Sequence, residues 1–125
     1  SNNQCNEAEI EETRLLSNSA NLVDRLDKKR KELTKSIEYH CSNLDESDIV
    51  LYNSDIWCDN WRSTGVTPPV GYANIGYEIQ DLTKKIEDLE DDFENSQNRW
   101  ALTVTTYKDC FEPSKVIDAT EILSK

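Results

Sequence analysis

The stretch IGYEIQDLTKKIEDLEDDFENSQNRWALTVTTYKDC, residues 75–110, decides the fold. Ile75, Ile79, Leu82, Ile86, Leu89, Phe93, Ser96, Trp100, Thr103, Tyr107 and Cys110 step by fours and threes without interruption. That period, near 3.5, is a heptad seam, and a strand would need a period of two. The acids Glu87, Asp88, Glu90, Asp91, Asp92 and Glu94 fall between the seam positions, so the acidic run reads as the solvated face of a long helix. A calcium site is the rival reading, but Ca²⁺ wants oxygens converging from a glycine-turned loop, which this segment lacks.

Working outward, residues 6–41 hold neither Gly nor Pro. Leu15, Ser19, Leu22, Leu26, Leu33, Ile37 and His40 form a second helical stripe, widened by Leu16 and Val23. Asn6 with Glu9 three residues on fits an N-cap and an acid at N3. The spacing therefore predicts one helix of about 35 residues, ~50 Å long at 1.5 Å per residue. Ile49, Val50, Asn53, Ile56, Trp57 and Trp61 suit a short helix capped by Asp45 or Ser47. The loop 63–76 is the one Gly/Pro-rich stretch, stiffened by Pro68–Pro69. Pro113 is expected to stop the long helix, with Val116, Thr120 and Leu123 marking a short final one that folds back on Trp100.

The chain has 125 residues, 25 acids against 14 Lys and Arg, and a net charge of −11. Mean hydropathy is −0.76. Such a length is one domain by the usual prior, and only three Gly and three Pro imply long elements. The fold class expected over residues 1–125 is all-α: two long antiparallel helices with two shorter helices packed on them, stapled by two disulfides. The acidic balance argues against nucleic acid and anionic membrane as partners. No apolar run approaches the ~20 residues that span a bilayer, and no signal peptide is visible.

Cys5, Cys41, Cys58 and Cys110 include no C-x-x-C pair, and the single histidine, His40, cannot complete a zinc site. Two disulfides in an oxidising compartment are expected. A continuous first helix excludes Cys5–Cys41, because a disulfide needs Cα atoms within ~7 Å. Of the two remaining pairings, antiparallel helices favour Cys5–Cys110 with Cys41–Cys58, and the alternative is Cys5–Cys58 with Cys41–Cys110. The favoured pairing requires the helix after Ser47 to be short or to cross at an angle.

Catalytic signatures are missing. No phosphate loop, dinucleotide fingerprint or nucleophile elbow occurs. His40 beside Cys41 does not make a dyad, since helical neighbours point about 100° apart. No enzyme, metal or cofactor is expected. Trp57 and Trp61 at i and i+4, followed by Arg62, together with Pro68 and Tyr72 of the loop, form a candidate protein-binding set, because Trp, Tyr and Arg dominate interface hot spots. The competing reading makes Trp57 or Trp61 the cover of a disulfide. No Asn-x-Ser/Thr site for glycosylation is present.

Four widely spaced cysteines, at 5, 41, 58 and 110, on long acidic helices without glycosylation sites resemble the small secreted salivary proteins of blood-feeding mosquitoes. The anophensin/albicin type, which inhibits complement and contact activation, is one such group. The helical domain of collagen-binding anti-platelet salivary proteins is a second. The resemblance covers the whole chain in architecture and implies a monomeric, secreted, non-enzymatic inhibitor whose partner is an extracellular host protein. A structural or surface-antigen module of an extracellular protein is the alternative.

Overall fold

The computed structural model describes residues 2–66 and 73–125, and among them all regular structure is helical. The helices are α1 (Asn2–Ser42), α2 (Glu46–Tyr52), α3 (Ser54–Thr64), α4 (Ala73–Thr106) and α5 (Pro113–Leu123), with a 3₁₀ turn at Lys108–Cys110 before α5. Two compact units share the long helices. The first combines Ser1–Leu26 with Asp88–Lys125, and the second is Asp27–Glu87.

In the first unit the start of α1 runs antiparallel to the end of α4. Cys5 is bonded to Cys110, Glu12 meets Trp100, and Leu15 and Ser19 meet Ser96. Leu15, Leu22, Leu26 and Leu89 bury the apolar stripe. Ala101, Val104 and Ala119 are fully buried where α5 packs on α4, with Trp100, Phe111, Val116 and Ile122 around them. Small residues at 101 and 119 let these two helices approach closely.

Polar groups inside this unit are all engaged. Ser96 Oγ lies 2.8 Å from Ser19 Oγ, accepts from Asn18 Nδ2 and donates to the Leu15 carbonyl. Glu12, only 7% exposed, accepts the Trp100 indole N–H at 3.1 Å, and the Lys115 ammonium sits 2.9 Å from the same oxygen. One carboxylate therefore ties α1 to α4 and α5. A charge at this depth persists only with such partners.

In the second unit α1 and α4 are again antiparallel, with Ile37 and Ile79 in one cluster. Cys41 is bonded to Cys58, and Trp57 and the fully buried Cys58 complete that cluster, flanked by Leu33, Leu44 and Trp61. Asp45 Oδ1 accepts the Asp48 amide at 2.8 Å and caps α2. Asn53 then turns left-handed, at φ 51°, and ends α2 while starting α3. Asparagine is the residue other than glycine best suited to that conformation.

Both disulfides follow the favoured pairing. The single short helix expected after Ser47 is two helices broken at Asn53, and the break reconciles Cys41–Cys58 with helical spacing. Three local expectations are corrected. Asn6 lies inside α1 and caps nothing, because the helix already starts at Asn2. Pro113 opens α5 instead of stopping α4, which ends at Thr106. Its missing N–H costs nothing in a first turn. The heptad seam holds from Ile79 to Ser96 and then shifts by one residue, so that Ala101 and Val104 are buried while Tyr107 is 39% exposed. An α-helix drifts ~20° per heptad from a 3.5 repeat, and α5 rewards the rotated face.

The Cys5–Cys110 bond closes a sequence separation of 105 residues. The chain-entropy account gives such a loop ~4–5 kcal/mol of stabilisation. Replacing both cysteines with Ala should lower the unfolding free energy by about that amount in urea titration. An unchanged midpoint with unchanged slope would remove the clamp from the account of stability.

Candidate functional site

The sequence points to Trp57, Trp61 and Arg62 of α3, and the structure separates their roles. Trp57 is 8% exposed and stacks on His40, with ring centroids 5.0 Å apart and planes 12° from parallel. It is a core residue beside the Cys41–Cys58 bond, in line with the reading that makes Trp57 or Trp61 the cover of a disulfide. The reason is helical spacing: Ser54, Trp57 and Cys58 stand at i, i+3 and i+4, the buried face of α3, so turning Cys58 to Cys41 turns Trp57 inward as well. Trp61 is half-buried against the same cluster.

Arg62 is exposed, and its guanidinium lies 3.6 Å from Asp59 and 3.5 Å from the Cys41 carbonyl. The second contact leans the side chain over the end of α1, where unsatisfied carbonyls attract cations. Trp61 and Arg62 thus share one edge of the disulfide cluster. Pro68 and Tyr72 lie outside the described residues.

Exposed apolar side chains occur along the chain, Ile10 and Ile117 among them, and three stand close together in sequence on α2 and α3. Val50 is 72% exposed, Leu51 69% and Ile56 63%. All three fall within seven residues, on either side of the Asn53 turn. Residues 49–51 are consecutive and apolar, and a helix cannot turn three consecutive side chains toward one core. That was the available signal, and it is a surface signal. Exposed apolar side chains grouped in one place mark contact surfaces.

The remaining hollows are shallow. In the first unit a cleft of about 250 Å³ lies between α1, α4 and α5, with Leu16, Val23, Phe93, Trp100 and Ile122 in its walls. Leu16 and Val23, read as widening the α1 stripe, are each 48% exposed there. No group of metal-ligating side chains occurs among the described residues. No described helix is long and apolar enough to cross a membrane.

The His40–Trp57 stack has a pH consequence. Burial pushes the His40 pKa below its ordinary value, opposed by the weaker fields of Asp48 and Asp45. The unfolded chain then binds a proton that the folded one refuses. Stability from this group is complete above the unfolded value of ~6.5 and is lost as pH falls toward the depressed native value. Thermal melts between pH 7 and pH 5 should show a steeper decline for the wild-type chain than for His40→Phe, which keeps the ring stack. Equal slopes would mean that His40 is not the group responsible.

Comparison of the chain with protein-family models, curated proteins and solved structures returned no match.

Proposed function

We propose that this chain is a secreted, non-enzymatic protein-binding protein that inhibits a host defence cascade, whether complement, contact activation or platelet adhesion to collagen. The observation that carries the protein-binding part is the corner formed by α2 and α3. Val50, Leu51 and Ile56 stand in water there on a scaffold held by the Cys41–Cys58 bond. A surface fixed by a disulfide loses little conformational entropy on binding, so more of its contact energy is available to affinity. Trp61 and Arg62, on other faces of the same helix at the disulfide cluster, add the residue types that dominate hot spots.

The inhibitor part is supported by the resemblance to salivary proteins, and two disulfides agree with an oxidising, extracellular compartment. A monomer acting on an extracellular host protein is the form this reading takes. The apolar cleft walled by Leu16, Val23, Phe93 and Trp100 favours a second reading, a self-associating structural module.

The test compares the oxidised wild-type chain with Val50→Asp/Leu51→Asp/Ile56→Asp in complement lysis, contact-activated clotting and platelet adhesion to collagen. Inhibition in one assay, lost in the triple variant without a fall in melting temperature, is expected. Silence in all three assays at molar excess, together with a solution mass above that of one chain, would replace the inhibitor by the structural module.

A further inference from the structure

On the first unit a groove of about 380 Å³ runs between α1 and α4. Arg14, Asn18 and Arg25 line it from α1, and Asn95, Ser96 and Arg99 from α4. The spacing explains the convergence. Residues 14, 18 and 25 differ by four and seven, and 95, 96 and 99 by one and three, so each set occupies one helical face. Arg14 and Arg25 are eleven positions apart, ~16 Å along the axis.

The charge is out of place for this protein. Acids outnumber bases by 25 to 14 in the chain. Lysines on other faces are paired within their own helix, as Lys31 with Asp27 and Lys85 with Asp81. Among the described residues neither Arg25 nor Arg99 forms an ion pair. Arg14 is held by Glu11, three residues before it, through two hydrogen bonds. Those bonds chiefly, with the fields of Arg14 and Arg99 behind them, keep the Glu11 carboxyl below its ordinary pKa. Arg99 therefore stands at the Arg14 end of the groove. The one carboxylate in the lining is Asp92.

The floor is polar and ordered. Ser96 is 3% exposed, and its hydroxyl is fixed by Ser19, Asn18 and the Leu15 carbonyl. The Asn18 amide is consequently oriented, with one of its two N–H donors committed to Ser96. Guanidinium groups offer planar, paired donors matched to the oxygens of phosphate and sulfate.

We propose that this groove binds a small multiply charged oxyanion, a ligand carrying two or more phosphate or sulfate groups. Arg25 and Arg99, the two guanidinium groups of the groove without an acidic partner among the described residues, stand toward opposite ends of it, and a single inorganic ion would leave one end unmatched. The net charge of the protein repels such ligands at long range, so binding has to come from the groove itself. This site is independent of the α2–α3 corner, and neither proposal depends on the other.

The experiment titrates the oxidised full chain with tripolyphosphate and, separately, with a multiply sulfated disaccharide, following backbone amide shifts by NMR. Shifts should concentrate at residues 14–25 and 92–99, and the tighter of the two probes identifies the source chemistry. Arg25→Gln/Arg99→Gln should weaken binding by about tenfold or more. Lys108→Gln/Lys125→Gln, which changes net charge equally but lies outside the groove lining, should leave it unchanged. Asp92→Asn removes the opposing charge and should tighten binding by a few fold. Both altered arginines are exposed, and a melting curve confirms that the variant is folded. Equal weakening in the two double variants, no gain in Asp92→Asn, or shifts scattered outside the groove would each overturn the assignment.

Discussion

The Cys41–Cys58 bond is the constraint on which the second unit depends. It closes a sequence separation of only 17 residues, with Cα atoms 5.7 Å apart. A straight helix through residues 46–58 would carry Cys58 about 18 Å along its axis, away from Cys41. The chain meets the constraint with one residue, Asn53, whose left-handed backbone divides the segment into α2 and α3. Everything distinctive about this corner follows from that turn. Trp57 is brought onto His40, Ser54 is buried where its hydroxyl donates to the Asp48 carbonyl, and the apolar side chains of α2 are left facing water.

Burial of polar groups shows how the helices choose one register. A seam of leucine and isoleucine alone permits slippage, since one turn of a helix offers nearly the same apolar face as the next. Ser96 prevents this in the first unit. Its hydroxyl contacts Ser19, Asn18 and the Leu15 carbonyl together, and a shift of one turn would bury it unsatisfied. Glu12 acts likewise on α5 through Lys115. Lys115 is 38% exposed and can recover water if released, so the pair adds more to specificity than to stability.

Much of this was legible in the sequence. The long helices, the final helix and the disulfide pairing followed from periodicity and from the reach of a helix. Local features did not. Asn6 and Glu9 make a plausible cap, but Asn2, Asn3 and Gln4 before Cys5 continue the helix, and helix ends are the least determined feature of any pattern. Glu12 occupies a core position between Ala8 and Leu15, and an acid at such a position was the overlooked sign of a buried partner. The seam reading failed beyond Ser96 because a heptad assumes one facing helix, whereas α4 there meets both α1 and α5.

The candidate site was the least legible, for a physical reason. Hot-spot composition identifies residues able to dominate a contact, but the same bulk makes them the best cover for a core. Trp57 went to the core because Cys58 beside it had to face Cys41, and Trp61 followed halfway. The exposed side chains of α2 and α3 include aliphatic ones that composition does not single out, Val50, Leu51 and Ile56. Their exposure is a by-product of the disulfide and the Asn53 turn. A helix as short as α3 that turns its tryptophans toward a covalent bond presents its outer face with the other residues it carries. The arginines of the groove follow a similar logic. A helix face rich in acids needs no single cation, so those left unpaired opposite Ser96 stand out against the field of the chain.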